Sequence, residues 1–463
     1  MVSGRWVARA VLAVVVLALV SPAVYGALTY DPAQQTALRR GTIERPANGT
    51  TIISVQGFSF QGHTSQKKPA RLVAVGPRGG TKWVYTPPEA NHAWFYSVDP
   101  LPNGNLLVDS PRGGHTVVYE LNPKTKERVW TETLPFEDTH DVELLDEQHL
   151  LVANMRQWDA KNGTSNDRVL IYNRTNDSVQ WQWKFENHYP ANTDGGMKPD
   201  WTHVNDVDNL GDGRIMVSVR NFDQVIVIDR KTGRIVDRLG RDDAHGILNE
   251  QHNPDYLVSD NGTPTILVAD SENDRVVEYA KENGRWRKTW EVGTGQLKWP
   301  RDADRLPNGD TLITDTLHHR VIEVTPTGRI VWEYYATWGP YEADRVATGG
   351  GSHGPTMRDM NASGTYRLHG SAGLSPGTGD RLTFAAQLRA ALAGTPLEGP
   401  AVAFAHRWSH VTPWIRPVWL TNWQFAFAVA AALVALVWGT VELVLARGRI
   451  ATGLLGAVRG GGH

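Results

Sequence analysis

One pattern recurs six times between Arg71 and Tyr334: a polar residue, an alternating apolar run, a turn, and a second run that often ends in Trp. The copies start at Arg71 (RLVAVGPRGGTKWVY), Thr116 (TVVYELNPKTKERVW), Arg168 (RVLIYNRTNDSVQWQW), Gln224 (QVIVIDRKTGRIVDRLG), Arg275 (RVVEYAKENGRWRKTW) and Arg320 (RVIEVTPTGRIVWEY). Their spacing of 45 to 56 residues is the period of a four-stranded blade. Alternation with period two and turns rich in Gly, Asn and Asp make each copy a β-hairpin. Six such units closing on themselves leave no free sheet edge, so an all-β, six-bladed β-propeller is predicted. The stretch from Thr50 to Gly57 (TTIISVQG) is expected to complete the last blade across the seam.

A second signature precedes each hairpin: a polar residue, an Asp, a Leu and a turn before an apolar strand. It reads YSVDPLPNGNLLV, HDVELLDEQHLLV, NDVDNLGDGRIMV, HNPDYLVSDNGTPTILV and RDADRLPNGDTLI, with a degenerate copy, YEADRVATGG. One structural column therefore holds Tyr96, His140, Asn205, His252, Arg301 and Tyr341. The innermost strands of a propeller line its channel, so these side chains are expected at one mouth. Strand alternation puts His203 on the same face as Asn205, and Arg220 is expected to return to the same rim. His63, His92, His115, His149, His188, His245, His318 and His319 fall outside the column and are read as structural. The acids Asp138, Asp141, Asp206, Asp302 and Asp304 near the column raise a metal site as an alternative. Arg220 and Arg301 at the same mouth would repel a cation, so the site is read as binding an anionic substrate, with no metal. Arg301 has a second reading, as a partner of Asp302 or Asp304 tying neighbouring blades.

The ends of the chain bound where such a propeller works. Val7 to Leu28 and Trp423 to Leu445 are apolar stretches of membrane-spanning length. Arg5 precedes the first and Arg9 interrupts its beginning, and Arg447, Arg449 and Arg459 follow the second. The positive-inside rule then makes both termini cytoplasmic and the propeller extracytoplasmic, although Arg39, Arg40 and Arg45 lie on the other flank of the first segment. A cleaved signal peptide is the rival reading of that segment, with small residues at Ala23 to Ala27. Trp408, Trp414, Trp419 and Trp423 suit an interfacial belt. The helical spacing of Arg381 to Leu392 suits the membrane surface. Six N-x-S/T triplets, at Asn48, Asn162, Asn173, Asn176, Asn261 and Asn361, all fall between the two apolar stretches and are candidate glycosylation sites. The domains read as an anchor or signal segment at 1–30, the propeller at 45–350, a linker at 351–418, a span at 419–446 and a cytoplasmic tail at 447–463. Lys+Arg 47 against Asp+Glu 49 gives no field to recruit nucleic acid. The absence of cysteine excludes disulfides, thiolate metal sites and cysteine nucleophiles.

The run DWTHVNDVDNLGDGRIMVSVRNFDQVIVIDRKTGRIVDRLG, Asp200 to Gly240, resembles the signature segment of the PAPS-independent aryl sulfotransferases, the arylsulfate sulfotransferase family. The family's His-x-Asn pair and following Ser-x-Arg stand here as His203, Asn205, Ser218 and Arg220. Its Gln-His resembles Gln251-His252, and its His-Asp resembles His140-Asp141. The resemblance spans roughly Arg71 to Tyr334. It implies a six-bladed propeller that moves a sulfuryl group from a phenolic sulfate ester to another phenol, without nucleotide or other cofactor, by ping-pong transfer through a sulfurylated histidine. It further implies that His252 is the nucleophile and that His140, His203, Asn205 and Arg220 hold the sulfate oxygens, with His140 or His203 protonated as a donor. Arg301 has no secure counterpart in the family. The two apolar stretches and the missing cysteines depart from soluble periplasmic members.

Those residue types suit the chemistry. Sulfuryl transfer resembles phosphoryl transfer, whose loose transition state spreads charge over three oxygens, so placed donors carry most of the catalysis. The leading function is a membrane-anchored sulfotransferase using an aryl sulfate donor and a phenolic acceptor. The alternatives are a non-catalytic propeller binding a sulfated or otherwise anionic ligand or a protein, and a hydrolase that passes the group to water.

Overall fold

The computed structural model describes residues 4–30, 38–58, 68–88, 94–370 and 383–460, with side chains described only as far as residue 447 in the last helix. The chain divides into two units, Thr36–Arg381 and a helical unit of Met1–Gln35 with Leu382–His463.

The first unit is the six-bladed propeller that the repeat predicts. Blade one is built from Val98–Pro100, Leu106–Arg112, His115–Leu121 and Arg128–Leu134. Blades two to five follow in chain order, opening with inner strands Asp138–Leu144, Val204–Gly211, His252–Val258 and Pro300–Arg305. The inner strands of neighbouring blades pack side by side around the axis. The six repeated hairpins are the two outer strands of each blade.

Blade six is composite. Its inner strand Pro340–Arg345 pairs with Thr51–Val55, which continues into Arg71–Val75 and Thr81–Tyr85. The ring is thus closed by backbone hydrogen bonds across the seam, as expected for Thr50 to Gly57, and no inner edge is left open. Blades five and four each carry a fifth strand, Arg39–Ile43 and Gly364–Tyr366. The stretch 351–418, read from sequence as one linker, divides in the structure. Its first part stays with the propeller through that fifth strand, and the helix Glu398–Ile415 belongs to the helical unit.

The recurring Trp explains how blades are held together. Trp183, Trp290 and Trp332 are buried on the outer strands of blades two, four and five. Each donates its indole N–H to a backbone carbonyl in the next blade's turn, Gly233 at 2.9 Å, Pro326 at 2.8 Å and Pro77 at 3.1 Å. One side chain so combines a large apolar burial with a satisfied polar atom. Tight turns complete the blades. At Gly309 the backbone has φ +86° and a Cβ would meet the Met360 sulfur, so glycine alone fits.

In the helical unit, Gly4–Thr29 and Asn422–Gly460 are long helices, and Gly4–Thr29 and Asn422–Arg447 are apolar enough to cross a membrane. They run antiparallel: Gly26 approaches Trp419 and Gln424, while Arg9 pairs with Glu442 in a two-pronged bridge of 2.5 and 2.7 Å. The two charges that interrupt the apolar stretches are therefore each other's partner, the arrangement an apolar medium demands.

Candidate active site

Every inner strand from blade two onward carries an irregularity at the column position. The ladder skips between Val204 and Asp206, between Pro300 and Asp302, and between Pro340 and Glu342, leaving Asn205, Arg301 and Tyr341 as the extra residues. It also breaks across His140 and just after His252. A bulge inserts one residue and re-aims its side chain, so the column residue and its successor both turn to the channel. His203 reaches the same place by another route. It precedes its strand with φ 43°, a left-handed conformation, so the alternation argument reached the right neighbourhood for the wrong reason. Arg220 opens a short helical turn directly after Arg214–Val219.

The structure brings these side chains together. The rings of His140 and His203 lie 4.9 Å apart, Tyr96 and His140 3.7 Å, and Tyr341 and His252 6.0 Å between centroids. Arg301 Nη1 donates to His252 Nε2 at 2.6 Å, while its guanidinium covers the faces of Trp299 at 3.7 Å and Tyr341 at 5.1 Å. Arg220 pairs with Glu250 and donates to Asn221 at 2.8 Å.

The hydrogen bonds fix the tautomer of His252. Its Nδ1 faces the Glu250 carbonyl at 3.1 Å, which can only accept, and Ser271 Oγ at 2.8 Å. Ser271 spends its own proton on the Pro300 carbonyl at 2.7 Å. Nδ1 therefore bears the hydrogen and Nε2 the lone pair, pointing at Arg301. His203 is oriented the same way: its Nδ1 donates to Asp200 at 2.9 Å, leaving Nε2 as an acceptor. Arg156 bridges Asp200 and Asp138, at 3.3 and 2.9 Å. His140 Nδ1 lies 3.3 Å from the Tyr341 hydroxyl.

Electrostatics correct one expectation. Burial first, then the charges of Arg301 and Arg220, push His252 well below the ordinary histidine range. Burial, with His203 and Arg156, does the same to His140. Burial and Arg220 bring His203 down to about 4 even though Asp200 opposes them. Neither His140 nor His203 is a protonated donor at neutral pH; both are neutral, and the fixed positive charge comes from Arg220 and Arg301. Burial and the neighbouring Arg301 lower Arg220 to about 10.

Asn205 is partly committed within the protein. Its Nδ2 donates to the Gln251 carbonyl at 2.9 Å, pinning the peptide that leads into His252, and its buried Oδ1 has no partner. Gln251 in turn holds Ser218 at 3.1 Å. Arg301 is not tied to Asp302 or Asp304. Among the described residues it makes no ion pair, it is 4% exposed, and its Nε is unpartnered. A buried guanidinium that feels Glu272 through space but makes no ion-pair contact is costly unless an anion joins it.

Sequence reasoning missed Asp200, Ser271, Arg156 and Trp299. Asp200 was signalled by its spacing three residues before His203, but a histidine's carboxylate partner is recognisable only once the left-handed turn is known. Of the histidines read as structural, His63 and His92 lie outside the described residues, and His188 stacks on Trp183 in an outer hairpin.

Comparison with known proteins gives one family match. Residues 47–258 fit the model of the arylsulfotransferase (ASST) family, a stretch that includes His140, His203, Asn205, Arg220 and His252 but not Arg301. No curated protein matches. Among solved structures, a protein of unknown function from Bacteroides caccae shares 15% identity, with 64% of this chain and 98% of that one covered at a TM-score of 0.44. A virginiamycin B lyase from Staphylococcus aureus shares 8%, with 65% and 89% covered at 0.38.

Proposed function

From the match of residues 47–258 to the arylsulfotransferase family, we propose that this chain transfers a sulfuryl group from a phenolic sulfate ester to a phenol-like acceptor through a sulfohistidine at His252. The observation that carries the reading is the pairing of a buried Arg301, which forms no ion pair among the described residues, with the lone pair of His252 Nε2 at 2.6 Å.

In the first half-reaction the Nε2 lone pair forms the N–S bond as the ester S–O bond breaks, and the phenolate leaves with the bonding pair. Positive charge then grows on the imidazole, where Nδ1–H donates to the Glu250 carbonyl and Ser271. Arg301, released from Nε2, and Arg220 stand beside the three sulfuryl oxygens, where the transition-state charge collects. In the second half-reaction the acceptor phenol gives its proton to His203 Nε2, oriented by Asp200, and its oxygen takes the sulfuryl group from His252. Tyr96, Trp299 and Tyr341 supply an aromatic wall for the phenol ring. No nucleotide donor enters this scheme.

The helical unit is proposed to anchor the enzyme. Antiparallel spans put both ends on one side, and Arg5, Arg9, Arg447, Arg449 and Arg459 assign that side to the cytoplasm. The propeller is then extracytoplasmic.

The test is to incubate the protein with 4-nitrophenyl sulfate, quench in base and map modified peptides by mass spectrometry. A gain of one SO3 on the His252 peptide, lost on adding phenol, is expected. Binding of the ester with no adduct and no nitrophenol release would instead make this a non-catalytic anion-binding propeller.

A pH profile supplies an independent check. His252 is reactive when neutral, and its depressed proton affinity keeps it so below the usual histidine range. The acid limb of kcat/KM is expected below pH ~6.5, the unperturbed value, with activity flat from there to about pH 8. Half-loss at or above pH ~6.5 would show that the buried environment does not govern the nucleophile.

A further inference from the structure

Behind the histidines, the channel changes sign. Counting three residues along each inner strand from the column gives Asp99, Glu143, Asp208, Asp255, Asp304 and Asp344, a carboxylate from every blade. The residue directly after the column adds Asp141, Asp206, Asp302 and Glu342. All ten line one cavity of about 70 Å³ together with Asn253. The bulges at the column explain how adjacent residues can both face it.

Part of this acidity is structural. Asp141 accepts the Val207 N–H at 2.9 Å, Asp302 the Ala343 N–H at 3.0 Å and Glu342 the Val98 N–H at 3.3 Å. Each is a clasp from one blade to the next inner strand, and each clasp uses one carboxylate oxygen. Other oxygens are left over. Asp206 Oδ2 and Asp344 Oδ2 have no partner, on side chains only 7% and 1% exposed, and Asn253 Oδ1 is likewise unpartnered. Asp99, Glu342 and Asp344 each offer an oxygen, and these oxygens lie within 4.8 Å of one another.

Nothing basic neutralises the tier. Among the described residues, none of the ten carboxylates forms an ion pair with Lys, Arg or His. The arginines on the same strands are committed elsewhere, Arg305 to Glu278 at 3.2 Å and Arg345 to Glu323 at 2.5 Å. Buried carboxylates without a counter-charge are retained when they share protons or coordinate a metal. The donor set decides which metal: oxygen only, several carboxylates and an amide, which suits calcium better than zinc or copper.

We propose that the acidic tier of the channel is a binding site for a hard divalent cation, calcium, held by the converging oxygens of Asp99, Glu342 and Asp344 with neighbouring carboxylates of the same cavity, Asp206 and Asp208 among them, contributed by other blades. A cation there links blades that share no sheet, so its role is to fasten the ring. It lies outside the histidine and arginine mouth and takes no part in sulfuryl transfer.

The experiment uses the full-length protein in detergent, stripped with a chelator and dialysed. Equilibrium dialysis against radioactive calcium is expected to give at least one bound ion per chain, and added calcium chloride to raise the melting temperature by roughly 5 °C. The double substitution Asp206→Asn with Asp344→Asn is expected to lose both responses. Asp208→Asn, on a partly exposed side chain, is the milder variant, expected to weaken binding about tenfold. His252→Ala is expected to bind calcium as the wild type does, which separates this site from the proposed activity. Absence of bound calcium in the stripped wild type with an unshifted melt overturns the proposal. So does calcium retained undiminished by Asp208→Asn and by the double variant.

Discussion

His252→Ala is expected to lower kcat/KM for sulfuryl transfer by roughly 10⁴-fold or more, with binding of the aryl sulfate weakened far less. The expectation rests on geometry. His252 is fully buried, its tautomer is fixed by two Nδ1 contacts, and its lone pair faces Arg301, which forms no ion pair among the described residues. No neighbouring group can stand in, because the lone pair of His203 is aimed by Asp200 and His140 is engaged with Tyr341. Steady-state kinetics with 4-nitrophenyl sulfate and phenol make the measurement, and free imidazole should restore part of the rate by entering the vacated space. A variant within tenfold of the wild type would remove His252 from the chemistry.

Arg301→Met carries the second large effect, and its two readouts move in opposite directions. Loss of a charged donor beside the developing sulfuryl charge is expected to cost about 10²- to 10³-fold in kcat. The same change removes a buried guanidinium that has no ion-pair partner and retains packing against Trp299 and Tyr341. Folding stability is therefore expected to rise by about 1–2 kcal/mol, read from thermal and denaturant unfolding. The charge of Arg301 is also one of the causes that depress His252, so the acid limb of the pH profile should move up toward the ordinary histidine value. A loss of stability together with unchanged activity would make Arg301 a blade-tying residue, the reading that Asp302 and Asp304 suggested in sequence.

The propeller was legible because its repeat is redundant. Six hairpins, five well-formed inner-strand signatures and a seam strand all required the same ring. The column was legible for the same reason, since a blade register carries each residue to an equivalent place. What failed was local geometry. Period-two alternation cannot foresee a bulge, so the pairing of each column residue with an inward acid went unread, and the acids Asp141, Asp206 and Asp302 were assigned to the mouth rather than to a tier behind it. Charge states failed too. His140 and His203 looked like protonated donors because burial and the distance to Arg220 and Arg156 are properties of the assembled ring. Asp200, Ser271 and Glu250 were invisible as a set, for Asp200 reaches His203 across a left-handed turn, and Ser271 and the Glu250 carbonyl meet His252 Nδ1 only in the folded fourth blade.

The composite sixth blade also has a meaning in time. Its three outer strands, ending at Tyr85, leave the ribosome about 250 residues before the inner strand that begins at Pro340. At ordinary synthesis rates that interval is roughly ten to fifty seconds. Throughout it, Thr51–Val55 offers an unpaired edge, and the face carrying Ile53 and Val55 waits for blade five, whose Leu312 and Trp332 cover it. The ring cannot lock blade by blade as it is made; it locks once, at the end, when Thr51 finds Arg345. A nascent chain of this kind needs its first-made sheet shielded until its last is written, and any truncation short of Pro340 leaves a propeller that can never shut.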